Sequence, residues 1–187
     1  SIATLDLGVT LTSRGERTVR ENLADGLPVS ASVGGLALLV AFVLGIPGGL
    51  LAASRRGTWT DRVLTALATA AVSTPAIVLG PILLYLFAIR LHVFRPGGLV
   101  SPADLVLPAT TLGIVLAGVI QRMTRAGAAG FLEGRPVDHL RARGLTWRRI
   151  LGIHALRHAA IPALGYLPPA VASLLTGSVV VEQVFNL

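Results

Sequence analysis

The chain has 187 residues, of which 53% are hydrophobic, 13% are charged and none is cysteine. Soluble domains carry about 25% charged residues, so this composition disfavours a soluble globular protein, and the lack of cysteine excludes a disulfide framework or a thiolate metal site. The formal net charge of +7 rests on 16 basic residues, all of them arginine. Nucleic-acid binding would require aromatic side chains interleaved with the arginines, and few are there, Phe131 and Trp147 among them.

Residues 1–26 predict a polar lead-in to the first apolar stretch. Residues 14–25 mix charges with Val19 and Leu23, which favours either a short amphipathic helix on the outer membrane surface or an unstructured segment. The chain opens at Ser1 without a basic region and an apolar core, so we expect no cleavable signal peptide. Because it also lacks an initiator Met, we expect a processed or partial chain.

Four long apolar stretches predict membrane-spanning helices. A helix needs roughly 20 apolar residues to cross a bilayer, and the stretches 27–53, 63–89 and 160–181 reach that length. The stretch 105–124 is marginal and is expected to use Arg122 as a snorkelling anchor. A large soluble protein with buried helices is the alternative, but so short a chain could not cover four of them. The predicted fold class is therefore all-α: a polytopic membrane helical bundle with four transmembrane helices and a short cytoplasmic helix.

Glycine and proline predict how these spans pack and bend. The first span is rich in glycine, which favours close packing inside a bundle, and Pro47 should kink it. Two prolines interrupt the second span, and the fourth contains three. Broken helices are favoured places for a transport pathway, although from spacing alone kinking for packing is the slightly preferred explanation. The candidate pathway residues are Ser73, Thr74, Pro75, Ser173 and Thr176.

The arginines predict the orientation of the chain in the membrane. Alternate loops lie on the same side, so residues 54–62 and 122–158 share one side and carry eleven arginines, against five on the other side. The positive-inside rule then places these two segments in the cytoplasm. Residues 1–25, 90–104 and 182–187 are expected to face outside.

The sequence contains no constellation for enzyme chemistry. Without lysine the chain cannot carry a Walker A phosphate-binding loop. His154 and His158 have the spacing of a metal pair, but no third ligand is suitably placed, so surface or interfacial histidines are the preferred interpretation. No acid, base or histidine lies deep in a predicted span, which weighs against a proton- or sodium-driven carrier. We therefore expect no enzyme activity, cofactor or metal in this chain.

The predicted cytoplasmic segment 125–159 divides at Gly144. Residues 137–143 can form a short helix with arginine and alanine on its exposed face. Thr146 can cap a second helix that directs Trp147 and several aliphatic side chains toward the membrane. Glycine between them permits a turn that a side chain would resist. The aliphatic residues are Ile150, Leu151, Ile153 and Leu156.

This arrangement resembles the EAA loop in the permease subunits of ATP-binding-cassette importers. In that loop an acidic residue precedes a glycine by six positions and a hydrophobic stretch then ends in proline, and Asp138, Gly144 and Pro162 take those places here. The dipeptide/oligopeptide/nickel branch typically reads A-R-A-K-G-L and then H-A-L-R-N-A-x-x-P. This chain reads L-R-A-R-G-L at 140–145 and H-A-L-R-H-A-A-I-P at 154–162.

Four further blocks that resemble the branch follow in the same order along the chain. They are D-L-G at 6–8, R-R-G-T-W-T-D-R at 55–62, S-T-P at 73–75 with a glycine five residues later, and V-V-V-E-Q-V-F at 179–185. Single blocks would be weak signals, but their collinear order over nearly the whole chain is specific.

The chain also departs from the branch. Arg135 and Pro136 stand where the branch usually has Asp-Tyr, so the docking helix is expected to start after Pro136. His158 replaces the usual asparagine. The branch has a span before and a span after the segment covered here, so we expect this chain to be part of a subunit with about six spans.

The resemblance implies a permease subunit that forms half of the translocation pathway for peptides or a similar small solute in the bacterial inner membrane. The implied partners are a second permease subunit, two ATPase subunits that bind ATP and Mg, an extracytoplasmic substrate-binding protein and membrane lipid. The residues implied to couple to the ATPase are Val137, Asp138, Leu140, Arg141, Ala142, Arg143, Gly144 and Leu145.

Two other functions stay open from the residues alone. A self-contained channel or secondary carrier would need intramembrane charges or a filter, and neither is visible in the sequence. A membrane scaffold could bind anionic lipid through its basic cytoplasmic side, at about 1 kcal/mol per arginine. Lipid attraction does not explain the pattern around Gly144.

Overall fold

The structure, a computed structural model, describes residues 19–186, so the predictions for residues 1–18 and for Leu187 lie outside the described residues. The described chain is helical and contains no strand, which confirms the all-α fold class. Its helices are α1 (Val19–Ser54), α2 (Trp59–Ser73), α3 (Ala76–Leu84), α4 (Val106–Leu132), α5 (Arg135–Ala142), α6 (Trp147–Arg149), α7 (Leu156–Gly165) and α8 (Leu167–Phe185). Shorter turns adjoin them: π-helical turns Tyr85–Arg90 after α3 and Ile150–Ala155 after α6, and a 3₁₀ turn Pro102–Leu105 before α4.

Three helices are long and apolar enough to cross a membrane, namely Gly26–Ser54, Pro102–Leu132 and Leu167–Phe185. They overlap the stretches predicted for the first, third and fourth spans. The first helix is continuous from Val19, so the end of the predicted lead-in continues as the same helix instead of forming a separate surface helix. The third is extended by the 3₁₀ turn and by two further turns beyond residue 124.

The second predicted span, 63–89, is broken in the structure. Helices Trp59–Ser73 and Ala76–Arg90 meet at an angle of 104°. Pro75 causes the break, because it disfavours helical backbone at Thr74, which adopts an extended conformation with φ −92° and ψ 116°. The Thr74 N–H and hydroxyl both donate to the Ala70 carbonyl, at 3.0 and 2.8 Å, so the last turn of α2 stays hydrogen-bonded up to the break.

The fourth predicted span, 160–181, is divided between two helices. The chain turns at Tyr166, and α8 begins directly afterwards with prolines in its first turn, where a missing N–H costs no intrahelical hydrogen bond. Pro162 lies inside α7 without ending it. Helix α8 runs to Phe185, so Glu182 and the residues up to Phe185 of the segment predicted to face outside are helical.

Close packing of α1 on α4 forms the centre of the bundle. Ala37, Ala41, Gly45 and Gly49 recur every fourth residue of α1 and are buried, the two alanines with no exposed area. Small residues at this spacing let two helix backbones approach closely in a membrane. A Cβ added at Gly49 would lie 2.5 Å from Thr124 Cβ and 2.6 Å from the Gln121 backbone oxygen.

The two ends of the bundle differ in chemistry. At the arginine-rich end, a small cluster of Ala53, Ala128, Ala155 and Ala159 joins α1, α4 and α7. At the opposite end, Ser30 of α1 donates a 2.7 Å hydrogen bond to Glu182 of α8. There the backbone N–H of Gly98 also donates to the Phe185 carbonyl at 3.2 Å.

Gly49→Ala is expected to destabilise the protein, because the new methyl group overlaps Thr124 and cannot displace the α4 backbone without separating the helices. Overpacking of this kind costs about 1–3 kcal/mol. The melting temperature of the purified protein in detergent measures the effect. Gly35→Ala is the matched control, since Gly35 lies in the same helix with no atom within 4 Å of the added Cβ. Equal melting temperatures for the two variants would contradict the close α1–α4 approach.

Candidate functional site

Helix α5 is the short helix predicted from the cytoplasmic segment, and its bounds correct that prediction. It begins at Arg135, two residues before the predicted start, because Gly134 takes the cap position and Pro136 fits the first turn. It ends at Ala142, with Arg143 as its cap residue. Only two residues separate it from the end of α4, so α5 is attached directly to the central helix of the bundle.

A tight turn at Gly144 ends α5, as predicted. The Gly144 N–H donates to the Arg141 carbonyl at 2.8 Å, and the Leu145 N–H donates to the Leu140 carbonyl at 3.1 Å. This pair of bonds is the Schellman motif, which needs a left-handed residue after the helix. Gly144 supplies it with φ +77°, and no neighbouring atom occupies the space that a side chain would take. The backbone conformation, and not crowding, therefore requires glycine here.

The predicted coupling residues divide into an anchor and an exposed surface. Val137 is 4% exposed and anchors α5 on the bundle, and Leu140 and Leu145 are half-buried. The remaining residues form the exposed surface: Asp138, Arg141, Ala142, Arg143 and Gly144.

Arg141 bridges α5 and the helix that follows the turn. Its guanidinium carbon lies 5.0 Å from the centre of the Trp147 ring. A cation–π contact at an exposed site contributes about 0.5–1 kcal/mol. Together with the backbone bonds at Gly144, it fixes the angle at which the chain leaves α5.

The segment after the turn differs from the single amphipathic helix predicted for it. Thr146 occupies the cap position of α6 without a side-chain hydrogen bond to the helix. Its carbonyl accepts the N–H groups of Arg149 and Ile150, each at 3.0 Å. Ile150 is completely buried but Ile153 is 55% exposed, because the π-helical turn at Ile150–Ala155 rotates the later side chains out of register.

Small residues hold this segment against α4. A Cβ added at Gly127 would lie 3.1 Å from Ala159 Cα and 3.1 Å from the His158 carbonyl oxygen, so α7 and α4 are in backbone contact. The His158 ring stacks on Phe131 with 4.4 Å between ring centres. This stacking packs the ring against the end of α4, and within residues 19–186 no group of three potential ligands could hold a metal ion.

An ion pair that the sequence reading missed ties α2 to α4 at the same end. The Asp61 side chain is 4% exposed. Its two oxygens accept from Arg125 Nε at 2.6 Å and from Nη2 at 2.8 Å. The Gly57 N–H donates to Oδ2 at 2.9 Å, which adds the turn between α1 and α2 to the same contact. The signal was present in the R-R-G-T-W-T-D-R block, where Asp61 is the single acid among the arginines.

A second ion pair joins the same two segments. Arg56 of the α1–α2 turn pairs with Glu133, the residue that caps α4. Both side chains are more than half exposed, and exposed pairs contribute only about 0–1 kcal/mol. The buried two-pronged Asp61–Arg125 pair is therefore the stronger of the two contacts.

The predicted pathway residues are not brought into one cluster. Ser73, Thr74 and Pro75 form the α2–α3 break, and α2 packs mainly on α4. Ser173 and Thr176 lie on an exposed face of α8, which packs on α1, α3 and α4. Ser73 does line an open groove of about 650 Å³ between α2 and α4. The other groove-lining residues are Asp61, Arg62, Thr65, Ala66, Thr69, Ala70 and Arg125.

The arginine-rich end presents a strongly basic surface. Of the eleven arginines at this end, ten have exposed side chains and Arg125 is half-buried. Of its three acids, Asp61 and Glu133 are used in the two ion pairs, and Asp138 is exposed. Such a surface suits a partner that carries negative charge.

Residues 45–187 match the family described as binding-protein-dependent transport system inner membrane component. The chain belongs to this family. Membership makes it part of an inner membrane component, which agrees with its long apolar helices.

Curated relatives agree with this family. The chain is 36% identical over 172 residues to the oligopeptide transport system permease protein OppB of Escherichia coli (strain K12). It is 34% identical over 185 residues to the dipeptide transport system permease protein DppB of Bacillus subtilis (strain 168). It is 33% identical over 181 residues to the glutathione transport system permease protein GsiC of Escherichia coli O6:H1. The matches cover 91%, 99% and 97% of this chain but 56%, 60% and 58% of the relatives.

Gly144→Ala is expected to loosen the turn after α5, because a left-handed conformation costs a residue with a Cβ roughly 1–2 kcal/mol. Hydrogen exchange of the backbone amides at 144 and 145 should become about tenfold faster, since their hydrogen bonds define the turn. Gly152→Ala is the control, because Gly152 is equally uncrowded and has no positive φ. Unchanged exchange in Gly144→Ala would show that the turn does not depend on glycine.

Proposed function

We propose that this chain is part of a permease subunit in an ATP-driven importer, where it contributes half of the translocation pathway for peptides or a similar small solute. The observation that carries the proposal is α5 with its fixed turn: a short basic helix, rigidly attached to the central helix of the bundle and exposed on one side. The family membership and the peptide-transport names of the relatives support the solute class.

In the proposed mechanism, two cytoplasmic ATPase subunits bind ATP and Mg and transmit their closing and opening through α5. Rigid transmission needs a helix that moves with its membrane domain. Three contacts support this: the buried Val137, the backbone bonds at Gly144, and the Arg141–Trp147 contact. Because α5 follows α4 after two residues, a push on α5 reaches the centre of the bundle directly.

The chemistry of the exposed surface suggests how the ATPase is held. Arg143 and the N–H edges of Arg141 are available for carboxylates on the partner, since Arg141 uses only the face of its guanidinium on Trp147. Asp138 lies near the N-terminal end of α5, where the helix dipole favours an acid. The proposed interface therefore combines a basic helix with an acidic cleft.

The remaining partners complete an importer. An extracytoplasmic substrate-binding protein delivers solute to the outer side, and a second permease subunit supplies the other half of the pathway. Anionic lipid neutralises the arginines that the ATPase does not cover. In this chain the pathway is proposed to follow the α2–α3 break at Ser73, Thr74 and Pro75 and the hydroxyls of Ser173 and Thr176.

Gly144→Trp tests the proposed coupling in the full complex reconstituted in liposomes. A large side chain at a left-handed position reorients α5, so solute uptake and the stimulation of ATP hydrolysis by the binding protein should both fall by about tenfold or more. Membrane insertion should be unchanged, because the residue lies outside the spans. Co-purification of the ATPase and second permease with the wild-type subunit establishes that the complex is present.

Two results would contradict this proposal. The first is full coupling in Gly144→Trp, which would remove the role of the α5 turn. The second is a wild-type subunit that purifies alone and transports solute without ATP, which would make it a carrier or channel. Gly152→Trp in the same segment is the control for bulk alone, since Gly152 faces open space.

Cysteine labelling tests the proposed pathway, since the chain has no cysteine of its own. Ser73→Cys, Ser173→Cys and Thr176→Cys should react with a water-soluble thiol reagent, because the reactive thiolate forms only in contact with water. Transported solute should slow the reaction.

The controls are Leu67→Cys on α2 and Leu175→Cys on α8, which replace exposed apolar side chains on the same helices. They should react about tenfold more slowly if those positions face lipid. Equal labelling rates in the serine and threonine variants and in the two leucine controls would contradict the pathway assignment.

A further inference from the structure

We propose that Asp61 and Arg125 are positioning residues that carry the movement of the α4–α5 end to α2, and so to the break in the second span. This inference rests on the proposed coupling function and adds a second link to it. The link does not involve any residue of α5 or of the Gly144 turn.

The geometry of the pair suits the transmission of movement. Arg125 binds both oxygens of Asp61, at 2.6 and 2.8 Å, and a two-pronged contact fixes orientation as well as distance. The Gly57 N–H holds the same carboxylate at 2.9 Å. Asp61 is 4% exposed, so water competes little for these bonds. The start of α2 and the turn before it are therefore held to α4 as one unit.

Arg56 and Glu133 reinforce the link close to α5. Glu133 caps α4, and Gly134 directly after it caps the start of α5. The pair is exposed and weak by itself, but it joins the same turn that Gly57 connects to Asp61. The two ion pairs thus connect one short turn to α4 at two points, residues 125 and 133, that lie two helical turns apart.

The rest of α2 would follow such a movement. Its backbone is in contact with α4, since a Cβ added at Gly118 would lie 2.6 Å from the Ala68 carbonyl oxygen. It then ends at Ser73, where the chain bends by 104° into the following helix. When α2 is displaced at its first turn, the angle between α2 and the following helix changes at the proline break.

A brace that only stabilises the fold is the competing role for this pair. The ratio of solute transported to ATP hydrolysed, measured on the complex in liposomes, distinguishes the two roles. A brace lowers the stability and the yield of the complex but leaves this ratio unchanged in the surviving molecules. A positioning pair changes the ratio.

The experiment compares Asp61→Asn, Arg125→Gln and the double variant with two matched controls. Asp104→Asn removes a carboxylate that accepts backbone N–H groups near the opposite end of the bundle. Arg122→Gln removes an exposed arginine one turn from Arg125. We expect the Asp61 and Arg125 variants to transport at least about fivefold less solute per ATP. The double variant should lower this ratio no further than either single variant. The controls should keep the wild-type ratio.

A wild-type ratio in folded Asp61→Asn and Arg125→Gln would overturn the inference. If these variants do not accumulate, Arg125→Lys preserves the charge but loses the two-pronged contact, and an unchanged ratio in that variant is equally contrary.

A distance measured between α2 and α4 tests the link without involving the ATPase. Spin labels at Trp59→Cys and Gly130→Cys, both exposed, should show a narrow distance distribution that Asp61→Asn broadens. An unchanged distribution overturns the link even where coupling through Gly144 holds. If Gly144→Trp loses coupling while the Asp61 and Arg125 variants behave like the wild type, the proposed function stands and only this inference is contradicted.

Discussion

The close approach of α1 and α4 is the constraint on which the other helix positions depend. Lipid is as apolar as the side chains that face it, so helices in a membrane associate by packing and hydrogen bonding, with little hydrophobic drive. In this chain the packing is supplied by the small-residue stripe that includes Gly45 and Gly49. Since α2, α7 and α8 also pack on α4, the register of α1 on α4 positions the whole bundle. The same register also sets where α5 leaves the bundle.

The polar groups of the arginine-rich end are arranged around the same helix. Arg125 and Glu133 of the α4 end hold the α1–α2 turn, and α5 begins two residues later. Deeper in α4, the amide of Gln121 and the hydroxyl of Thr124 are buried without a hydrogen-bond partner among the described residues. α4 thus combines the packing centre with the polar contacts.

Local signals predicted the elements well, whereas contacts between distant segments were not predictable. Glycine at 144 with an acid six residues earlier was enough to place the turn, because a Schellman motif is a local backbone structure. Proline at 75 indicated a disturbed span, but the bend of 104° depends on how α2 and α3 pack. Asp61 and Arg125 are 64 residues apart, so nothing local shows that they meet. Helix α5 begins two residues before the predicted start, because Pro136 fits inside the first helical turn and is not its boundary.

The charge balance at the arginine-rich end supports the proposal of an acidic partner there. Ten arginines are exposed, and two of the three acids are already used inside the chain. At physiological ionic strength the Debye length is about 8 Å, so this surface attracts only groups that come nearly into contact. Long-range attraction alone would therefore hold an ATPase only loosely. A fixed helix that presents Arg141 and Arg143 at a defined angle brings the charges within that distance. A short-range contact with an acidic partner therefore requires both the rigid Gly144 turn and the basic side chains of α5.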